Sequence, residues 1–106
     1  MKRVILTLID GIVPQSVEAF EVEGREEFVI YHMPTYGWRV AMPALGTTIV
    51  DTFFPDQDAA LSFVQDISEL HIKWRKLKPE NAAEMSAPFK KKVHEAARRW
   101  STVHHE

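Results

Sequence analysis

The stretch "TTIVDTFFPDQDAALSFV", residues 47–64, decides the fold because the hydrophobic period changes within it. Up to Phe54 the residues are rich in β-branched and aromatic side chains, which is typical of strands. After Pro55 and Asp56, apolar residues recur at spacings of three and four, which is the period of a helix. We therefore expect strands upstream of this point and helices downstream of it.

Upstream, the sequence predicts an antiparallel meander of four to five strands between about residues 3 and 54. The expected strands lie within the apolar runs 3–9, 17–23, 26–33, 38–42 and 47–54. Glycine, proline and aspartate between the runs indicate turns. The first run, "RVILTLI", is apolar on both faces. It is expected to be covered on both sides or to lie at a contact between subunits.

Downstream, the sequence predicts two amphipathic helices, at about 56–78 and about 86–104. Asp56 or Asp58 can cap the first helix, and Pro88 fits the first turn of the second. Each helix carries an apolar stripe, and the stripes are expected to pack on the sheet or to meet in a dimer interface. The residues predicted for this seam are Phe63, Ile67, Leu70, Trp74, Leu77, Phe89, Val93 and Trp100.

Length and composition fit one α+β domain over residues 1–106. The chain contains no cysteine, which excludes disulfides, thiolate zinc sites and cysteine catalysis. The apolar run behind Lys2 and Arg3 is too short for a secretion signal, and no stretch approaches the roughly 20 apolar residues of a membrane span. We therefore expect a soluble cytoplasmic domain with no membrane partner.

No motif predicts a catalytic, metal or cofactor site. The segment "HEAAR" at 94–98 is similar to the H-E-x-x-H pattern of zinc proteases, but Arg98 cannot replace the second imidazole ligand. His104 and His105 are poorly placed to chelate one ion, because adjacent helical residues point about 100° apart. The sequence favours a non-catalytic protein without a cofactor, and it leaves open a small enzyme that lacks a recognisable motif.

The stretch "YGWRVAMPALGTTIVDTFFPDQDAALSFV" at 36–64 places a tryptophan on a strand ahead of a second strand and an acid-capped helix. This layout resembles the sheet-plus-helix DNA-binding domains of plant ethylene-response factors and of tyrosine-integrase N-termini. The resemblance implies strand arginines in the major groove, and only Arg39 matches that role. Residues 1–70 carry four Lys or Arg against eleven Asp or Glu, whereas a groove-reading sheet needs surrounding cations. We therefore do not assign the chain to those families.

Residues 71–106 reverse this balance, with nine Lys or Arg against four Asp or Glu. Candidate contacts for nucleic acid or an acidic protein are Lys90, Lys91, Lys92, Arg98 and Arg99. The two arginines lie toward the helix end, where the helix dipole favours cations. The three lysines lie in the early turns, where positive charge is mildly unfavourable. We expect phosphate, an acidic partner or the chain's own acidic hairpin, which carries Glu21, Glu23, Glu26 and Glu27 around a turn, to offset them.

The leading functional expectation is a small binding or assembly module that forms a homodimer through its helices or its apolar first strand. The first alternative is a nucleic-acid-associated protein that uses the basic second helix. The second alternative is a small enzyme without a recognisable motif.

Overall fold

The computed structural model describes residues 2–8, 15–44, 47–50, 52–70, 74 and 87–101. These residues form a five-stranded sheet followed by two helices, which confirms the α+β meander predicted from the sequence. The strands are β1 (Arg3–Leu8), β2 (Gln15–Val22), β3 (Arg25–Met33), β4 (Gly37–Met42) and β5 (Thr47–Thr48). The helices are α1 (Gln57–Ser68) and α2 (Ala87–Ser101).

The sheet has the strand order β1-β2-β3-β4-β5, and each strand pairs antiparallel with its neighbour in sequence. Two hairpin turns carry glycines at positive φ, Gly24 at +80° and Gly37 at +119°. Glycine suits both positions because a side chain at positive φ meets the backbone. The two glycines thus lie where the chain reverses direction between neighbouring strands.

β5 is shorter than the strand expected at 47–54. Beyond Thr48 the Ile49 N–H still donates to the Val40 carbonyl, the chain then bends, and Phe54 pairs with β4 through an isolated bridge to Trp38. The two backbone hydrogen bonds of this bridge measure 2.8 and 2.7 Å between nitrogen and oxygen. The bridge holds the start of the helical half of the chain against the sheet.

The central strand β3 is buried on both faces, and the core is therefore split by the sheet. Phe28 and Ile30 point to the side of α1 and α2, whereas Val29 and Tyr31 point to the opposite side, as strand alternation requires. We call the first group the helix-side core. Its largest contributions from β4 to α1 are Val40, Met42, Phe54, Phe63, Val64 and Ile67. The second group, here the second-face cluster, consists of Leu6, Ala19, Val29, Tyr31 and Ala41.

α1 begins as the sequence predicts. Asp56 is the N-cap, and its Oδ1 accepts a hydrogen bond from the backbone N–H of Ala59 at 2.8 Å. From this start α1 packs mainly against β3 and β4, where Phe63 and Ile67 enter the helix-side core. The helix therefore covers the later part of the sheet.

α1 ends at Ser68, well before the end predicted near residue 78. At this end the hydrogen bonds span three residues instead of four. The Glu69 N–H donates to the Asp66 carbonyl at 3.3 Å, and the Leu70 N–H donates to the Ile67 carbonyl at 3.2 Å. Trp74 then reaches back, and its indole N–H donates to the same Ile67 carbonyl at 3.0 Å. The Trp74 ring also packs edge-on against Phe28, with centroids 5.3 Å apart. α1 therefore ends at Ser68, and Trp74 makes a buried contact with its last turn, whereas 71–73 and 75–78 of the predicted helix lie outside the described residues.

The two turn glycines give a matched test of the fold. A Cβ at position 37 would lie 2.4 Å from the backbone oxygen of Phe54, which is part of the Trp38–Phe54 bridge, whereas a Cβ at position 24 meets nothing within 4 Å. We expect Gly24→Ala to cost about 1 kcal/mol of stability from backbone strain alone. Gly37→Ala should cost at least about 2 kcal/mol more, because the bridge must also shift. Urea denaturation of the two variants measures the difference, and equal losses would contradict the close approach.

Candidate functional site

β1 presents a backbone edge that no described residue pairs with. It is the first strand in the sheet order and pairs with β2 alone. The Lys2 carbonyl accepts the N–H of Glu21 at 2.8 Å, which fixes the side of β1 that faces β2. Because successive strand residues direct their N–H and C=O groups to alternate sides, those of Arg3, Ile5 and Thr7 point away from β2. We call these backbone groups the open edge.

The side chains of β1 divide between the two faces of the sheet. Leu6 is 2% exposed and joins the second-face cluster, against which Val4 and Leu8 also pack. Ile5 lies on the helix side, but α1 packs over β3 and β4 and leaves Ile5 70% exposed. The expectation that the first strand is covered on both sides is therefore wrong at Ile5, because the helix layer sits too far along the sheet. Its alternative, a subunit contact, stays a prediction.

The open edge lacks the usual protection against pairing. Sheet edges are commonly blunted by charged side chains, prolines or bulges in the strand. β1 has Arg3 near one end, with its guanidinium 3.7 Å from the Glu18 carboxylate, and no charged residue from Val4 to Leu8. Both partners of that ion pair are largely exposed, so it contributes little to stability. The described strand from Val4 to Leu8 is accordingly a mostly apolar edge without a charged residue.

Tyr36 is the other large apolar side chain that is exposed among the described residues, at 66%. Its ring stacks on Phe53 with centroids 5.3 Å apart, and the Arg39 guanidinium lies 4.7 Å from the centre of the same Phe53 ring. Arg39 also donates to the Thr48 hydroxyl at 3.2 Å and to the Val50 carbonyl at 3.4 Å. The one arginine that matched the DNA-reading pattern is therefore engaged by its own chain.

The predicted seam residues that the structure describes lie in the core of one chain. Phe63, Ile67, Trp74 and Val93 are buried in the helix-side core, and Leu70 and Trp100 pack partly buried against it. Leu77 and the side chain of Phe89 lie outside the described residues. The stripes of α1 and α2 face each other, which leaves the open edge as the more exposed apolar feature.

The five predicted basic contacts are all exposed, but they do not form one surface. Arg99 contacts Asp66 at 2.6 Å, and Lys92 lines a groove of about 340 Å³ between the helices together with Asp66, Glu69 and Glu95. At 100° per residue, Lys91 and Arg98 project about 100° around α2 from Lys92 and Arg99, with Glu95 between the two pairs, and Lys90 lies on the other flank. Acids of α1 therefore stand beside Lys92 and Arg99. Whether the acidic hairpin offsets the remaining cations stays a prediction.

Asp66 is the residue of this region that the sequence did not single out. Its Oδ2 accepts from Arg99 at 2.6 Å and from the indole N–H of Trp100 at 2.7 Å. The available signal was its position one residue before Ile67, on the flank of the α1 stripe. Asp66 thus fixes how α2 docks on α1.

The described residues contain no group of three or more His, Asp or Glu placed to hold a metal ion. A second groove, of about 300 Å³, lies between α1 and the β2–β3 turn and is lined by Val22, Glu23, Arg25, Leu61, Val64 and Gln65. His71, His104 and His105 lie outside the described residues. Neither of the two helices described is long and apolar enough to cross a membrane.

Comparison with known protein families, with curated proteins and with solved structures finds no match to this chain.

The double acceptor role of Asp66 leads to a stability prediction. Asp66→Ala should cost about 1–2 kcal/mol, because the partly buried Trp100 N–H loses its acceptor. Glu69→Ala is the matched control, since this exposed acid bonds an exposed Gln65 side chain. We expect that change to stay within about 0.5 kcal/mol. Urea denaturation followed by tryptophan fluorescence measures both, and an Asp66→Ala variant as stable as the control would contradict this role.

Proposed function

We propose that this chain is a non-catalytic binding and assembly module that works in the cytoplasm as a homodimer. The observation that carries the proposal is the open edge of β1, with the 70% exposed Ile5 at its centre. The lack of cysteine suits a reducing compartment. A second copy of the chain is present wherever the protein is present, and its β1 strand has the same apolar side chains.

The energetic terms favour association through β1 over association through the helices. Burying Ile5 against another copy contributes up to about 2 kcal/mol per copy. Each new backbone hydrogen bond at the open edge adds about 0.5–1.5 kcal/mol. The apolar stripes of α1 and α2 are already covered by one another, so they offer less unburied apolar area. Because one strand pair buries a small interface, we expect a dissociation constant on the order of micromolar.

The homodimer is tested by a matched pair of substitutions at the two large exposed apolar residues. Ile5→Lys places a charge at the centre of β1, and it should return the light-scattering mass to that of a monomer across micromolar concentrations. Tyr36→Lys removes a comparably exposed side chain in the turn between β3 and β4 and should leave the mass of the dimer unchanged. Circular dichroism checks that both variants keep the fold.

Two outcomes count against this proposal. A monomeric mass for the unsubstituted chain at all micromolar concentrations removes the dimer. If the dimer persists with Ile5→Lys and dissociates with Tyr36→Lys, the contact between the copies does not lie at β1.

A second candidate function is association with nucleic acid through α2. The observation that favours it is the outward strip of Lys91, His94 and Arg98, all exposed on the side of α2 away from the acids of α1. Such a strip can contact phosphates along a backbone without reading bases. Its short length and the net charge of −2 for the chain make this a weak, salt-sensitive contact.

A charge-matched comparison tests the nucleic-acid candidate. Lys91→Glu combined with Arg98→Glu should abolish retention on a heparin or DNA column at low salt. Lys2→Glu combined with Arg25→Glu changes the net charge equally at exposed sheet positions, and it should leave most of the retention intact. If both double variants lose retention equally, net charge alone explains the binding. If neither variant loses retention, α2 is not the contact.

A further inference from the structure

We propose that two copies join by antiparallel pairing of their β1 strands about a two-fold axis at Ile5, so that the two sheets become one continuous sheet. In this arrangement Ile5 lies opposite the partner's Ile5, Arg3 opposite the partner's Thr7, and Val4 opposite the partner's Leu6. The inference rests on the proposed function and deepens it by naming the pairing register.

Backbone geometry sets the first condition on the register. In an antiparallel pair, residues that exchange hydrogen bonds must both direct their N–H and C=O groups across the shared edge. In β1 these are Arg3, Ile5 and Thr7, because Lys2 bonds to β2 and the direction alternates from there. A two-fold axis at Ile5 matches all three, since Ile5 pairs with itself and Arg3 pairs with Thr7.

Neighbouring registers satisfy this condition less completely. An axis at Leu6 pairs Ile5 with the partner's Thr7 and leaves Arg3 opposite a residue beyond β1. An axis at Val4 pairs Arg3 with the partner's Ile5 and leaves Thr7 opposite a residue before β1. The register at Ile5 therefore makes the most hydrogen bonds within the strand.

The side chains agree with the same register on the helix face of the sheet. Ile5 contacts its copy there, and the adjacent residue across β1–β2 is Glu18 on each side. Arg3 lies opposite a threonine, so no like charges are opposed at the new contact. Ile5, which is 70% exposed in one copy, is covered in the dimer by the Ile5 side chain of the other copy.

The opposite face gains a continuous apolar layer. Val4 is partly buried and Leu6 is 2% exposed, and both belong with the second-face cluster. Pairing Val4 with the partner's Leu6 places apolar residues opposite each other on this face, and the new burial falls on Val4 because Leu6 is already buried within its own chain. Because the axis is perpendicular to the sheet, the helices of both copies lie on the same side of it.

Single cysteines test the register, because the chain contains no cysteine and any disulfide must join two copies. Hydrogen-bonded antiparallel partners have Cα atoms about 5.5 Å apart, which is within disulfide range. We expect Ile5→Cys to form a disulfide dimer with itself under mild oxidation. Arg3→Cys alone and Thr7→Cys alone should not, because each lies roughly 13 Å or more from its own copy. An equal mixture of those two variants should form the mixed disulfide.

Tyr36→Cys is the control for random collision, since it is similarly exposed and lies away from β1. Disulfide formation at Tyr36→Cys as fast as at Ile5→Cys would remove the inference. A light-scattering mass of the unsubstituted chain tests the homodimer separately from the β1 pairing register. A dimeric mass without the Arg3–Thr7 mixed disulfide overturns the register and leaves the homodimer standing. A monomeric mass at all micromolar concentrations overturns both.

Discussion

The two-sided burial of β3 is the constraint on which the rest of this structure depends. Phe28 and Ile30 on one face and Val29 and Tyr31 on the other are fully or almost fully removed from solvent, so apolar layers must cover both sides of the sheet centre. α1 supplies one layer and packs mainly on β3 and β4. β1 lies two strands away from β3, beyond the reach of that layer. The exposure of Ile5 is thus a consequence of where the helices must sit.

The helix layer is positioned by a few polar contacts at the end of α1. The Ile67 carbonyl accepts from the Trp74 indole, and the Asp66 carboxylate accepts from Arg99 and Trp100. The two contacts of Asp66 join α2 to α1, and Val93 with its apolar neighbours packs into the helix-side core. This arrangement places some cations of α2 beside acids and turns others to solvent. Among the described cations of α2, Lys92 and Arg99 therefore lie toward α1, whereas Lys91 projects to solvent.

Local signals in the sequence were sufficient for much of the fold. The period change at Pro55, the Asp56 cap and the turn at Gly24 all act over a few residues, and the structure has each where it was expected. The end of α1 was not predictable in this way, because it depends on a buried tertiary hydrogen bond. The candidate site at β1 was also predictable only in part. The two-sided apolar pattern of β1 indicated an unusual strand, but the uncovered face follows from helix placement, which periodicity does not contain.

Amide hydrogen exchange, followed residue by residue by NMR, tests most directly whether the open edge of β1 pairs with a second copy of itself. The N–H groups of Val4 and Leu6 face β2, so their protection should not depend on protein concentration. The N–H groups of Arg3, Ile5 and Thr7 should exchange quickly in dilute solution and become protected as concentration rises. Fast exchange at these three residues at every concentration, with the dimer present, would contradict the account.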